Sequence, residues 1–505
     1  MASGATMLCE AASRNRNEWE LNVQHITLPA HPHFGNVDFA VRAADNRNGK
    51  GLFAHFADPS MRSLRLLVWI AMLASAWRPA VAPAADEKMN STDRRAVQTQ
   101  LHSRLTLDRV DGMRRLGDFP PLEGARLVLQ IGLTDREPDV REAASAALLA
   151  WKDDPEVGGL VLKGLEKEVK KSGGVPIVPL LKVLAASELP ETQQRLGKFL
   201  DGFVPKSKEG VPAVIGLADE LGTQGDAPGI RSLQGLLQHK AVLGKFACRR
   251  AVVQAILGIR RPESVSAAIA LLPTLDGEVR GDVVRYLEAT SGQHHGLDVK
   301  LWEAWWKEHS EDFKFSRKVA ESANTETVPP GVGSYYGLPL YARRIVFVVD
   351  ISGSMRGPRL TAAKRELSAA IAGLSTENDL GLVAFHTQLF VWRRELVRAT
   401  PTLRQEANTF VYQLQAGGRT ATYDALDAAF RYDTEAIFLL SDGEPNAGKI
   451  PFAVDILTAV ARANRHRRIS IYTIGIAPGM AGSPMDEFMR TLGEQNYGRY
   501  HRVEE

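Results

Sequence analysis

Residues 345–349 read Ile-Val-Phe-Val-Val, four of them β-branched and none polar. β-Branched side chains are stiff and pack well on a pleated surface, and a strand without polar alternation has no face to offer to water. Such a strand belongs inside a sheet covered on both sides, which asks the surrounding chain for helices alternating with further buried strands. The sequence from 343 onward supplies them. Strand patterns recur at 380–385, 389–392, 436–440, 469–474 and 499–503, and amphipathic stretches at about 359–374, 402–414, 424–431, 451–464 and 485–493 alternate with most of them. The expectation is a mostly parallel, doubly wound sheet, with 389–392 as an antiparallel hairpin edge.

Upstream the texture differs. Residues 87–310 carry helical periodicity in short segments punctuated by Pro, Gly and Asp, without a convincing strand pattern. Within them Asp135-Arg-Glu-Pro138-Asp139-Val140-Arg141 runs into the apolar stretch ending at Trp151, with partial echoes at Asp276-Gly-Glu278-Val279-Arg280, at 249–253 and at 262–265. This resembles the HEAT-repeat family, and the resemblance implies antiparallel helix pairs stacked into a curved solenoid whose concave side is open to partners. A plain helical bundle would show the same stripes. Trp302, Trp305 and Trp306 fall on one helix face and are expected to cap this core. Adjacent His294 and His295 lack an acidic or Cys partner at ligand spacing and read as loop residues. The polar, Pro- and Gly-bearing stretch 311–340 reads as a linker, and its Gly331-Val-Gly333 is no dinucleotide fingerprint because no strand precedes it. At 505 residues the chain has room for these two cores.

The first 84 residues read differently again. From Met61 a charged start, an apolar run at 66–77 and a small-residue stretch to Ala84 have the order of a secretory signal, and the apolar run is too short for a spanning helix. Residues 61–84 are therefore expected to be a cleaved signal peptide, leaving 1–60 as a mis-assigned or disordered extension. If the apolar run were retained, it would be a membrane anchor. An exported, envelope or secreted location follows. The chain has two cysteines, Cys9 and Cys248, and no C-x-x-C pair, so any metal would be held by oxygen. Cys248 sits among apolar neighbours and reads as packing. With a formal net charge of only +3, nucleic acid is not an implied partner.

The chemistry lies at the strand ends. The first strand runs into Asp350-Ile-Ser352-Gly-Ser354, the loop Gly417-Gly418-Arg419-Thr420-Ala-Thr422-Tyr-Asp424 precedes a helix, and Ser441-Asp442-Gly443-Glu444 follows the strand at 436–440. In a parallel α/β sheet these loops share the carboxyl edge, where ligands bind. Two carboxylates and several hydroxyls are all hard oxygen donors, suited to a divalent cation. Here the sequence resembles the von Willebrand factor A family and its metal-ion-dependent adhesion site, over about 341–505. The resemblance implies a metal set of Asp350, Ser352, Ser354, Thr420 and Asp442. Ser352 and Ser354 would be direct ligands, Thr420 would join in the ligand-competent state, and Asp350 and Asp442 would act directly or through water. Thr420 is preferred over Thr422 for its distance from Asp424. The ion would be Mg²⁺, or Mn²⁺ or Ca²⁺, and its hydroxyl-rich shell would leave positive charge for a partner's Asp or Glu to complete. Gly353 and Gly443 are expected to give the loops backbone freedom, Asp424 to cap its helix, and His386 to be a loop residue. The basic run Arg462-Ala-Asn-Arg465-His466-Arg467-Arg468 is expected on a solvated face.

These readings converge on an exported, non-enzymatic binding, adhesion or scaffold protein that takes a protein ligand. No small-molecule substrate is expected, and no membrane contact beyond an uncleaved signal. Two alternatives stand beside it: an A-domain subunit of an ATPase-linked assembly complex, and a Mg²⁺-dependent hydrolase. The latter lacks H-E-x-x-H, G-x-S-x-G and Walker-type motifs and has no carboxylate left over as a general base.

Overall fold

The computed structural model describes residues 91–171, 177–315 and 328–504. The expectations for 1–60 and for a signal at 61–84 lie outside the described residues, as do the Cys9 position and the middle of the 311–340 stretch.

Proline sets the start of many helices in the first region. It occupies the first turn of Pro121–Gln130, Pro138–Ala150, Pro155–Lys171, Pro190–Lys206 and Pro262–Leu271. There its fixed φ suits the helix and its missing N–H costs no bond. Gly225 and Gly292, at φ +67° and +71°, end Gly210–Gln224 and Gly277–Ser291 in the left-handed conformation. The described residues between 91 and 309 form fourteen α-helices. They share one continuous core in which Val97, Leu148, Leu184, Leu217, Val252 and Val284 are all buried. Trp302 is fully buried at its end and donates from Nε1 to Gly296 O at 2.9 Å, while Trp305 and Trp306 are half-buried. Cys248 is buried in the same core, and burial pushes its thiol up to about 12, consistent with packing and not reactivity. Among the described residues no helix is long and apolar enough to cross a membrane.

The second region is the expected sheet. Its strands are β1 (Ser334–Tyr335), β2 (Leu338–Pro339), β3 (Arg344–Asp350), β4 (Asp379–Phe385), β5 (Leu389–Val391), β6 (Val397–Arg398), β7 (Ala436–Ser441), β8 (Ser470–Ile476) and β9 (Tyr500–Val503). The main sheet has the order β5-β4-β3-β7-β8-β9, with β6 also on β4. β4, β3, β7, β8 and β9 are parallel, and β5 and β6 run antiparallel to β4. The apolar run of β3 divides by alternation. Ile345, Phe347 and Val349 join one core, which includes Leu360, Leu367, Ala407 and Val411; Val346 and Val348 join the other, with Leu426, Ile456, Val460 and Met489. Both faces are thus covered, as a strand of that composition requires.

Two features depart from the sequence reading. β6 has two residues, too few for any periodicity to register. The β1–β2 hairpin lies within the stretch read as a linker, yet Tyr335, Leu338 and Leu340 are buried in the sheet's first core. That part of the chain is a structural element of the sheet region and not a spacer.

Residues 87–505 form one compact unit. The helices meet the sheet at the starting ends of its strands, through a buried polar network. Arg250, fully buried, makes a bidentate pair with Asp282 (2.7 and 2.9 Å) and donates to Arg468 O and Ser470 Oγ. Glu278 Oε1, also buried, accepts from Ser470 Oγ, Tyr472 Oη and Arg285. Glu435 Oε2 accepts from the backbone N–H groups of Glu278 and Arg343. Arg468 reaches Asp219 and Gln254, and Arg467 donates to the carbonyls of Phe430 and Tyr432. The basic run is therefore not simply a solvated face, because its last two arginines are ties, one of them between the regions.

Candidate metal centre

Each predicted site residue sits where a strand or loop must deliver it. Asp350 is the last residue of β3, in register with Phe385 of β4, and Ser441 ends β7 one residue before Asp442. The chain leaving β3 turns at once. Ile351 N–H donates to Phe385 O, Gly417 N–H to Ile351 O and Gly353 N–H to Gly418 O, at 2.8, 2.8 and 3.1 Å. These three backbone bonds bring the 352–354 turn against the Thr420 loop. Asn446 closes the third side: its Oδ1 accepts from Thr420 N at 3.0 Å, and its own N–H donates to Thr420 O at 3.0 Å.

The side chains then converge. Ser352 Oγ lies 3.1 Å from Ser354 Oγ, which donates to Asp442 Oδ1 at 2.8 Å. Asp350 Oδ1 accepts from Ser352 N at 2.7 Å and its Oδ2 from Ser441 Oγ. Asp350, Ser352, Thr420 and Asp442 are buried, and Ser354 is the exposed member. Burial is the main reason the Asp350 carboxyl is pushed up to about 6; the hydrogen bonds from Ser441 and Ser352 act against it and the nearby Asp442 charge adds to it.

Gly443 faces two of these hydroxyls. A Cβ there would stand 3.4 Å from both Ser354 Oγ and Thr420 Oγ1. These two hydroxyls therefore border one small cradle that any side chain at 443 would begin to fill. The donor set around it is three hydroxyls and two carboxylates, hard oxygens that fit Mg²⁺ or Mn²⁺. Among the described residues no trio of His, Cys, Asp or Glu is gathered as a metal site elsewhere.

The geometry revises some expectations. Gly353 and Gly443 are not in the left-handed region; Gly418 is, at φ +65°. Gly443 serves by leaving room, and Gly353 by its close approach to Gly418 O. Asp424 is no cap for its own helix, since its Oδ1 accepts from Lys449 N at 3.2 Å and so fastens the loop after β7. Thr422, the alternative to Thr420, is 1% exposed, and its hydroxyl has no partner among the described residues. His386 is in a turn, its Nδ1 accepting from Gln388 N at 2.8 Å. Four residues outside the expected metal set support the site. Ser441 holds Asp350, Asn446 holds Thr420, Thr387 accepts from Arg419 N at 2.8 Å, and Arg359 donates to Asp442 Oδ2 at 2.9 Å. Ser441 was the legible one, adjoining Asp442 in the motif.

Residues 343–502 match the family model of the von Willebrand factor type A domain. They form an A domain. The same part of the chain is homologous to inter-alpha-trypsin inhibitor heavy chains. Heavy chain H3 of Mesocricetus auratus is 29% identical over 182 residues, 34% of this chain and 20% of that one. The human H3 chain is 32% identical over 126 residues, 22% of this chain and 14% of that one. The chain thus spans about a fifth or less of the length of these relatives. Among solved structures, a von Willebrand factor type A protein from Catenulispora acidiphila is 24% identical, with a TM-score of 0.28, covering 33% of this chain and 40% of that one. The described residues form a mostly helical region followed by an A domain, whose carboxyl edge carries the cluster.

Proposed function

We propose that the A domain is a protein-binding module that grips an acidic side chain of its partner through a divalent cation, and that the chain is an exported, non-enzymatic adhesion or scaffold protein. The observation that carries this reading is the convergence of the Ser352, Ser354 and Thr420 hydroxyls with Asp350 and Asp442 around the space beside Gly443. Asp350, Ser352, Ser354, Thr420 and Asp442 would hold Mg²⁺, or Mn²⁺ in its place. The bound ion would supply Lewis acidity toward one oxygen of an exogenous carboxylate. The chain's own residues do the rest. Ser441 and Ser352 N–H orient Asp350, Asn446 fixes Thr420, and exposed Ser354 marks the open side for the partner.

The helices upstream, read as HEAT-like, would add a docking surface, although part of it is spent on the A domain. Helices Phe246–Gly258 and Gly277–Ser291 present Arg250 and Glu278 to β8. Export rests on the signal-like segment at 61–84.

Calorimetric titration of Mg²⁺ and Mn²⁺ into the full chain, with Ser352→Ala and Asp442→Asn, tests the site. Capture from an envelope extract in Mg²⁺ or EDTA tests the partner. The expected result is uptake of a single ion, abolished in both variants, and a partner released by EDTA. A chain that takes up no divalent ion, or a partner held regardless of EDTA and both substitutions, would sink the reading.

A further inference from the structure

The two carboxylates of the cluster stand in different electrostatic settings. Asp350 is held by neutral donors, Ser352 N–H and Ser441 Oγ. Asp442 accepts from Ser354 Oγ at Oδ1 and from the guanidinium of Arg359 at Oδ2, at 2.8 and 2.9 Å. The Asp442 side chain is 0% exposed, and that of Arg359 is 32% exposed. Arg359 is the second residue of the helix Pro358–Gly373, where the helix dipole disfavours a cation. Local helix electrostatics therefore do not account for its placement, whereas the buried Asp442 does. It engages the oxygen that Ser354 does not, so it pairs with Asp442 without standing between Asp442 and the Ser354 side of the cradle.

We infer that Arg359 is a specificity-determining residue of this site: by offsetting the charge of Asp442, it leaves a cation in the cradle short of negative charge, so that the open position favours an anionic carboxylate over water. The inference rests on the metal reading above and adds a reason for an acidic partner. Charge alone dictates that two affinities move in opposite directions when Arg359 is neutralised. The cradle becomes more negative and holds a cation more tightly, and the loaded site becomes less positive and holds a carboxylate more weakly.

The test uses Mn²⁺ and acetate with the full chain. Mn²⁺ uptake is read by water-proton relaxation, and acetate entry by the fall in relaxation as it displaces Mn²⁺-bound water. Arg359→Gln is expected to bind Mn²⁺ about three- to tenfold more tightly and acetate at least about threefold more weakly, with Arg359→Lys close to wild type in both. Weakening of both affinities in Arg359→Gln would make Arg359 merely structural and overturn the inference. Tighter Mn²⁺ with unchanged acetate affinity would also overturn it, making Arg359 a competitor for the cation position. Failure of the wild type to take up Mn²⁺ removes the metal reading itself, a result distinct from either.

Discussion

At the residue scale, the site turns on which hydroxyl faces the cradle. Thr420 and Thr422 are two residues apart, and both are buried at 2% and 1% exposure, so burial does not distinguish them. Position does: Thr420 Oγ1 borders the space beside Gly443, and Thr422 Oγ1 has no partner among the described residues. A buried hydroxyl without a hydrogen bond costs stability, and replacing it with a methyl group removes that cost. Thr422→Val should therefore leave Mn²⁺ affinity unchanged and melt no lower than wild type, whereas Thr420→Val should lose about tenfold or more in Mn²⁺ affinity. Equal loss in both variants, measured by the same titration, would contradict the assignment. The set Asp350, Ser352, Ser354, Thr420 and Asp442 was legible through its resemblance to the adhesion-site pattern of the von Willebrand factor A family, with Asp350 and Asp442 at strand ends. Arg359 and Asn446 were not legible. Nothing in a run such as Met355-Arg-Gly-Pro-Arg359 tells which arginine will meet a carboxylate 83 positions away.

At the element scale, length separates what the pattern revealed from what it hid. β3, β4, β7 and β8 have six or seven residues each, enough for an apolar run to stand out. The β1–β2 hairpin has two residues per strand and turns through Tyr336 and Gly337, at φ +50° and +77°. Such a hairpin is marginal alone and exists here because its side chains are buried. Tyr335, 1% exposed, sets its ring edge-on against Phe347 of β3 at 5.1 Å and Phe438 of β7 at 6.2 Å. Its hydroxyl is buried without a partner among the described residues, which holds its pKa well above the usual phenol value. Tyr335→Ala is expected to cost about 3–4 kcal/mol in denaturant unfolding of the chain. Tyr335→Phe should be neutral or mildly stabilising. A Tyr335→Ala variant as stable as wild type would mean that the hairpin is a detachable flap.

At the scale of the whole molecule, helices and sheet are joined through buried charged groups. The buried Arg250 answers Asp282 and, at 3.8 Å, Glu278, while its remaining donors reach Arg468 O and Ser470 Oγ of the A domain. Removing one partner of a buried ionic network leaves the others uncompensated, typically at about 3–5 kcal/mol. Arg250→Met should therefore separate the unfolding of helices and A domain into two calorimetric transitions. Mn²⁺ affinity should be retained, because the network lies at the starting ends of the strands and the cluster at their carboxyl ends. Single-transition unfolding at the wild-type temperature would show that the network contributes little to the join. The sequence by itself determined the order of helices and strands, the burial of β3 on both faces and the five-residue oxygen cluster. The first two follow from short-range periodicity, and the placing of the cluster from the rule that parallel strands deliver their ends to one edge; its five members are those that the resemblance to the von Willebrand factor A family implies. Only the tertiary structure decided that Arg468 belongs to an interface, that Tyr335 belongs to the core and that Arg359 answers Asp442. Each depends on a partner far away in the chain, and a single side chain's preference for water or for a distant charge is settled only when folding brings that partner within reach.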